Sequence, residues 1–362
     1  MNEKETVSIQ QAVCIIILFI LGSTVILGLS TNAGQDAWIS FLIAVVMMVP
    51  LFLMYARIMR LYPETGFYDI LILLFGNIAG KILIAVMAWY ALHLCALVLR
   101  NFSEFIQIVM MPETPQLPLM IAMLLVTCYL ARSRASTMGK WAIVMLPVVV
   151  AMIILTVFLS ASDMDFSNLL PVFEKDPMVL IQGAYQIVTF PYAETVLFLC
   201  MANALKRQDS PYKMYGYAVA ISAVFLLTIL IRNITILGAP MVSAEYFPSY
   251  ATARILHIGN FLTRIEGTIT MNFMLSGIVK ITICLTAAAR GVARICNIQN
   301  HRTLILPTGL LALALCAIVY KSAMEMFGFL KYYQIYVVPF QILIPGAAWI
   351  TAEIKAKKRA AA

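Results

Sequence analysis

Ser8-Ile9-Gln10-Gln11-Ala12-Val13-Cys14-Ile15-Ile16-Ile17-Leu18-Phe19-Ile20-Leu21-Gly22-Ser23-Thr24-Val25-Ile26-Leu27-Gly28-Leu29 contains no charged residue and, past Gln11, almost no polar one. A helix of this length covers the ~30 Å of a bilayer's hydrocarbon at about 1.5 Å per residue. Within the run, Gly22-Ser23-Thr24 and Gly28 interrupt the aliphatic residues. Glycine relaxes a helix, and the hydroxyls of Ser23 and Thr24 can bond to backbone groups that a break sets free. The stretch therefore reads as a membrane-spanning helix with a break near its middle.

The rest of the chain has the same character. Its 362 residues are 62% hydrophobic and 12% charged, with a mean hydropathy of +0.93. A soluble domain keeps about a quarter of its residues charged. The ten-residue alternation of an outer-membrane barrel is absent, which leaves helices as the spanning element. The polar start, with Glu3, Lys4 and Glu5, lacks the basic region of a signal peptide, so the first apolar run reads as a retained helix.

Ten spans are predicted, at about 8–29, 38–56, 82–109, 118–131, 141–161, 178–204, 214–238, 267–289, 304–320 and 335–352. The fourth is short, and an amphipathic piece at 68–75 follows the second. One set of loops collects Lys4, Arg57, Arg60, Lys81, Arg132, Arg134, Lys140, Lys206, Arg207, Lys213, Arg290, Arg294, Arg302, Lys355, Lys357, Lys358 and Arg359. The opposite set holds Lys175, Arg254, Arg264, Lys321 and Lys331, with acidic Asp163, Asp165, Glu174 and Asp176. Cytoplasmic loops carry the basic excess, which predicts both termini on the cytoplasmic side, as an even number of spans requires. The net charge of +8 is explained by its distribution over these loops, not by nucleic acid; the basic tail reads as a stop-transfer segment, with contact to anionic membrane lipid as the alternative. The chain is read as a single integral-membrane domain, 1–362, with halves at about 8–161 and 178–352. Five spans in each half force opposite topology, hence an inverted repeat.

The sixth span carries its own interruption, Phe190-Pro191-Tyr192-Ala193-Glu194. Pro191 removes a backbone donor and clashes with the preceding turn. Breaks in the first span of each half point to a midplane binding site, where half-helix ends face an anion or a cation. The structural alternative is an ordinary Pro kink and small residues for close packing.

Ionisable residues inside the spans are the second signal. A charge at the centre of a membrane helix costs about 2.5–3.5 kcal/mol on insertion scales, so it faces protein or water. Glu194 lies just after the second break, Lys280 mid-way along the eighth span, and His93 in the third. Lys280 is open to three readings: ligand contact, surrogate for a bound cation, or a structural pair with Glu194. Arg100 and Arg232 are expected to snorkel towards an interface. The seven cysteines are scattered without a CxxC and read as small hydrophobes. No zinc motif, nucleophile elbow or P-loop occurs, so neither an enzyme, a metal site nor a cofactor is expected.

Several islands in order along the chain resemble the B subunit of bacterial spore germinant receptors, the GerAB-type branch of the amino acid/polyamine/organocation transporter superfamily. They are Leu21-Gly22, Ala33-Gly34-Gln35-Asp36-Ala37-Trp38, Tyr62-Pro63-Glu64-Thr65, Arg100, Pro112-Glu113-Thr114-Pro115, Leu170-Pro171, Phe190 to Glu194, Tyr246-Phe247-Pro248 and Arg264-Ile265-Glu266. The resemblance implies an all-α, LeuT-like inverted five-plus-five fold with helices 1 and 6 broken. It implies a germinant, typically an amino acid, held between spans one, three, six and eight. It also implies a channel-like A subunit and a lipoprotein C subunit in the spore inner membrane. Carried over by position, the pocket would use Gly22, Tyr90, Leu94, Pro191, Lys280 and Cys284. The carboxylate is expected at Ser23 and Thr24, and the apolar part against Leu94, Phe190 and Tyr90. Two departures stand out: Gly22-Ser23-Thr24 where relatives often have Gly-x-Gly, and Lys280 where they commonly offer a hydroxyl. A proton-coupled amino-acid permease, using Lys280 or Glu194, is the alternative, and a passive conduit through spans one, six and eight is a third.

Overall fold

The structure, a computed structural model, describes residues 6–29, 32–206, 208–255 and 266–361. Lys4, Arg207, His257, Arg264 and Ile265 lie outside these residues, as does the side chain of Arg359. The described chain is helical: α1 (Ile9–Leu27), α2 (Ala37–Leu61), α3 (Phe67–Phe75), α4 (Asn77–Val109), α5 (Gln116–Arg132), α6 (Ala135–Leu159) and α7 (Pro177–Ile187) form its first part. They are followed by α8 (Pro211–Leu237), α9 (Ala239–Ala244), α10 (Pro248–Ile255), α11 (Glu266–Ile295), α12 (Ile305–Val319), α13 (Ala323–Tyr336) and α14 (Ile344–Ala361). Among the described residues, nine helical stretches are long and apolar enough to cross a membrane, and α5 is a shorter apolar helix. Together they occupy the ten predicted positions.

Helix ends follow local chemistry. Ser8 caps α1 in a reciprocal box, accepting from the Gln11 amide at 3.3 Å while Gln11 Oε1 accepts from the Ser8 amide at 3.0 Å. At the other end Gly28 (φ +70°) turns the chain out of the helix and donates its N–H to Thr24 O at 3.0 Å. α7 and α8 each begin on a proline, Pro177 and Pro211, whose missing N–H would have no partner there.

The sixth span runs unbroken in sequence but not in geometry. α7 gives way to a π-type turn over Val188–Tyr192, with Phe190 extended (φ −140°, ψ 115°), and then to a tighter helix over Ala193–Ala204. Pro191 cannot donate to the preceding turn, so the ladder must open there.

The tenth span begins at Ala323, well before the expected 335, and 36 residues from Ala323 to Lys358 are helical or nearly so. A straight helix of that length would measure about 54 Å, far beyond the ~30 Å hydrocarbon. A π segment at Pro339–Leu343 divides it.

α1 is the central strut, with Ile15 to Leu27 all buried. It packs on α11, α8 and α6, and α11 in turn packs on α4. α5, α6 and α12 carry the outward apolar face, exposing Leu125, Val144, Ile154, Leu310 and Leu311. Such rows are stable facing lipid tails, because each helix satisfies its own backbone.

Candidate functional site

The break in α1 and the break after α7 meet at the centre of the bundle, and α11 brings Lys280 to both. Lys280 Nζ lies 2.5 Å from Glu194 Oε2, and neither side chain has any exposure. Tyr333 of α13 donates its hydroxyl proton to the other oxygen, Oε1, at 2.5 Å. The ammonium also sits over two rings, 4.8 Å from the centroid of Phe190 and 5.3 Å from that of Phe19. Cation–π contacts are worth ~2 kcal/mol or more when water is excluded. The pair is neutral overall, which is the condition for keeping two charges at this depth.

Gly22 explains how the lysine reaches the carboxylate. Its dihedrals are not helical (φ 0°, ψ −113°). A Cβ on it would stand 2.7 Å from Lys280 Cδ. The lysine stem therefore runs across the bare backbone of the break.

The freed backbone of the second break is held by side chains from elsewhere. Gln341, inside the π segment of the tenth span, donates from Nε2 to Thr189 O at 3.0 Å and to the Tyr90 hydroxyl at 2.9 Å. Tyr55 of α2 donates to Gln341 O at 2.6 Å and lies 3.4 Å from Ala193 O. Tyr90 is stacked on Phe340, with centroids 4.8 Å apart. In a bilayer an unbonded carbonyl costs several kcal/mol, so these amide and hydroxyl groups make the break tolerable.

A cavity of about 590 Å³ lies above this cluster, on the face reached by the end of α1 at Leu27 and Gly28. Phe190 and Tyr333 form its floor. The same two residues, with Leu94 and Glu194, bound a void of about 20 Å³ beneath it. Phe190 and Tyr333 meet edge to face, centroids 6.4 Å apart, and thus partition the cavity from the charge pair. The opposite end is tied shut. Val7 donates its amide to Ala204 O at 2.8 Å, Arg290 Nη1 donates to Cys200 O at 2.7 Å, and Tyr68 donates to Ala287 O at 3.0 Å.

The structure brings Gly22, Glu194, Lys280 and Phe190 into one cluster, with Tyr90 joined to it through Gln341. Leu94 lines the small void, and Pro191 forms the break itself. Ser23 and Thr24 are buried beside Gly22; Thr24 Oγ1 donates back to Ile20 O at 2.9 Å, and Ser23 Oγ has no hydrogen-bond partner among the described residues. Cys284 is buried one turn beyond Lys280. His93 goes elsewhere: its ring stacks on Trp89 (5.6 Å) and meets Phe329 and Tyr336 edge-on, and among the described residues no hydrogen bond or ion pair links it to Glu194 or Lys280. Three contributors escaped the sequence reading, namely Tyr333, Gln341 and Tyr55. Gln341, a lone amide in an apolar run, was the one visible signal.

Arg100 and Arg232 do not snorkel. Arg100 is 7% exposed and pairs with Glu104 one turn on, Nη2 to Oε1 at 2.6 Å. Arg232 is 1% exposed and donates to Asn233 Oδ1 at 2.8 Å and Thr156 Oγ1 at 3.0 Å. Both find partners within the bundle, which removes the drive towards an interface.

Comparison with known proteins agrees with this architecture. The family model described as "Spore germination protein" matches residues 6–325. The chain is 25% identical over 362 residues to spore germination protein KB of Bacillus subtilis (strain 168), covering 99% of this chain and 97% of that one. Among solved structures it resembles MhsT in complex with L-phenylalanine, with a TM-score of 0.68 at 9% identity, covering 97% and 99% of the two chains. It also resembles Mhp1, a nucleobase-cation-symport-1 family transporter, in a closed conformation with bromovinylhydantoin bound, with a TM-score of 0.69 at 12% identity over 96% and 78%. The chain is thus a multi-pass membrane protein of the spore germination protein family, built on the LeuT fold with its first and sixth helices broken.

Proposed function

We propose that this protein is the nutrient-sensing subunit of a spore germinant receptor, binding an amino acid or similar small polar ligand at the bilayer midplane. The observation that carries the reading is the Glu194–Lys280 pair, buried where the two helix breaks meet. A zwitterion can enter between its members without changing the net charge, its carboxylate on Lys280 and its ammonium on Glu194. The cluster is closely packed, so a ligand reaches it from the cavity by displacing Phe190 and Tyr333. Tyr333 then loses its bond to Glu194, and α13 is freed to move. A ligand shifts such an equilibrium only by its differential affinity for the two arrangements. A channel-like A subunit, with a lipoprotein C subunit alongside in the spore inner membrane, would read the movement. Both termini would lie on the cytoplasmic side and the cavity on the other, where nutrients arrive.

The same geometry supports a second reading, a proton-coupled amino-acid permease in which Glu194 exchanges a proton as the pair opens. The cavity open on one face and tied shut at the other favours it, being one half of an alternating-access cycle. Purified protein in liposomes separates the two. Saturable binding of radiolabelled amino acids without accumulation is expected for the receptor. Accumulation above the number of binding sites, driven by a pH gradient and lost in Lys280→Met, would establish the permease and overturn the receptor.

A further inference from the structure

At the closed end of the bundle, four basic side chains from three segments line one shallow pocket. Arg134 stands just before α6, Arg290 lies in α11, and His301 and Arg302 lie in the short helical turn that leads into α12. Ser133 and Thr286 add hydroxyls, and among the described residues no Asp or Glu lines the pocket. α6 starts at Ala135, which is also in the wall, and has no side-chain cap, so the positive end of a 25-residue helix adds to the field of the arginines. Arg134 is exposed, and Arg290 and Arg302 are half-buried. Three guanidinium groups and a helix end gathered at one place make a local anion field.

We infer that this pocket receives the phosphate group of an anionic membrane lipid, with Arg134 and Arg302 on its oxygens and Arg290 meeting it from the α11 side. The fork of a guanidinium matches two phosphate oxygens at once. Size argues against a free metabolite. At about 20 Å³ the pocket is far below the ~300–1,000 Å³ of sites that enclose a small molecule. It can seat phosphate oxygens only from a molecule whose bulk stays outside. Place argues for a lipid. α5, α6 and α12, which carry the outward apolar face, each have an end at this pocket. Leu125 and Tyr129 are exposed one turn apart on α5, as are Leu306 and Leu310 on α12, and the two helices pack together. Acyl chains lying along these rows bring a head group to the level of the arginines. Arg290 gives the site a consequence. Its Nη1 donates to Cys200 O and to Asn203 Oδ1, both at 2.7 Å. A phosphate beside Arg290 holds that guanidinium against the end of the sixth span and so braces the closed end. The site serves a sensor and a transporter alike.

Native mass spectrometry of the full chain in detergent, titrated with phosphatidylglycerol or phosphatidylcholine, tests this. The wild-type protein is expected to retain phosphatidylglycerol about tenfold or more tightly than phosphatidylcholine, whose choline cancels the charge. Arg134→Gln/Arg302→Gln should weaken that retention about tenfold or more, as loss of charged hydrogen bonds does. The control is Lys357→Gln/Lys358→Gln, which removes the same charge from exposed positions of α14 outside the pocket and should change retention less than about twofold. Circular dichroism and gel filtration confirm that each variant is folded, and the comparison of the two lipids needs no variant. Equal retention of both lipids by the wild type overturns the proposal. Equal weakening in the two double variants also overturns it, because a diffuse basic surface would then explain the binding. Displacement of phosphatidylglycerol by glycerol 3-phosphate or inorganic phosphate at equal concentration assigns the pocket to free phosphate and overturns the lipid. Hydrogen–deuterium exchange over 196–204 should slow when phosphatidylglycerol is added, and unchanged exchange there overturns the bracing of the closed end.

Discussion

Gly22 and Lys280 share a space that only one of them can fill: a Cβ on residue 22 would lie 2.7 Å from the lysine's Cδ. The lysine is pinned at its far end by Glu194, so it cannot yield without giving up that contact. Gly22→Ala should therefore destabilise the protein by about 1–3 kcal/mol, the usual cost of overpacking. Gly22→Leu should leave a folded protein that no longer responds to ligand. Thermal unfolding in detergent reads the first effect and ligand binding the second; a well-folded Gly22→Leu protein that binds like wild type at the midplane counts against the site.

The charge pair makes a prediction about non-additivity. Lys280→Met leaves a buried carboxylate without its partner, and Glu194→Gln leaves a buried ammonium; each should cost about 3–5 kcal/mol. The double variant Lys280→Met/Glu194→Gln buries no uncompensated charge and should be more stable than either single variant. Stabilities that simply add in the double variant would mean that the two groups do not depend on one another.

Gln341 holds Thr189 O and the Tyr90 hydroxyl together. Gln341→Leu removes both bonds at nearly constant volume, which should cost about 1–3 kcal/mol through the groups left unbonded. The loss should appear locally. Hydrogen–deuterium exchange is expected to rise over 187–195 while the middle of α1 stays protected. A uniform rise across the bundle would refute a specific role at the break.

Asp36 makes a different kind of link. Its carboxylate accepts from the Phe173 amide at 2.9 Å and the Lys175 amide at 3.1 Å, and its neighbour Gln35 donates to Glu174. The loop after the first span is thereby fastened to the loop before α7. Asp36→Ala should release the 171–176 segment, with a stability loss of about 1.5–3 kcal/mol for bonds to a charged acceptor. Limited proteolysis within that segment, fast in the variant and slow in the wild type, is the direct measurement. Equal cleavage rates would show that the latch does not hold the loop.

Much of the fold was legible in particular residues. The uncharged run from Ser8 to Leu29 requires a membrane helix, because no other backbone arrangement satisfies its own groups in lipid. Gly22 and Pro191 announce the two breaks for reasons internal to their own turns. The start of the tenth span at Ala323 was less visible, since Lys331 and the tyrosines of α13 dilute its hydropathy while α13 still packs inwards through Met326 and Tyr333.

What the chain alone determined is whatever depends on neighbours in sequence: length against bilayer thickness, the loss of a donor at proline, the charge left in an apolar run. From these come the spanning helices, the breaks, and the standing of Glu194 and Lys280 as residues that need an explanation. The tertiary structure decided how each need is met. Lys280 finds Glu194, Arg100 and Arg232 find partners inside the bundle, His93 turns to the rings of Trp89 and Tyr336, and the tenth span supplies Tyr333 and Gln341. Apart from the one-turn pairs Arg100–Glu104 and Trp89–His93, both within α4, these contacts join separate helices. Helical periodicity says which face a residue occupies, but not which other helix will stand against that face.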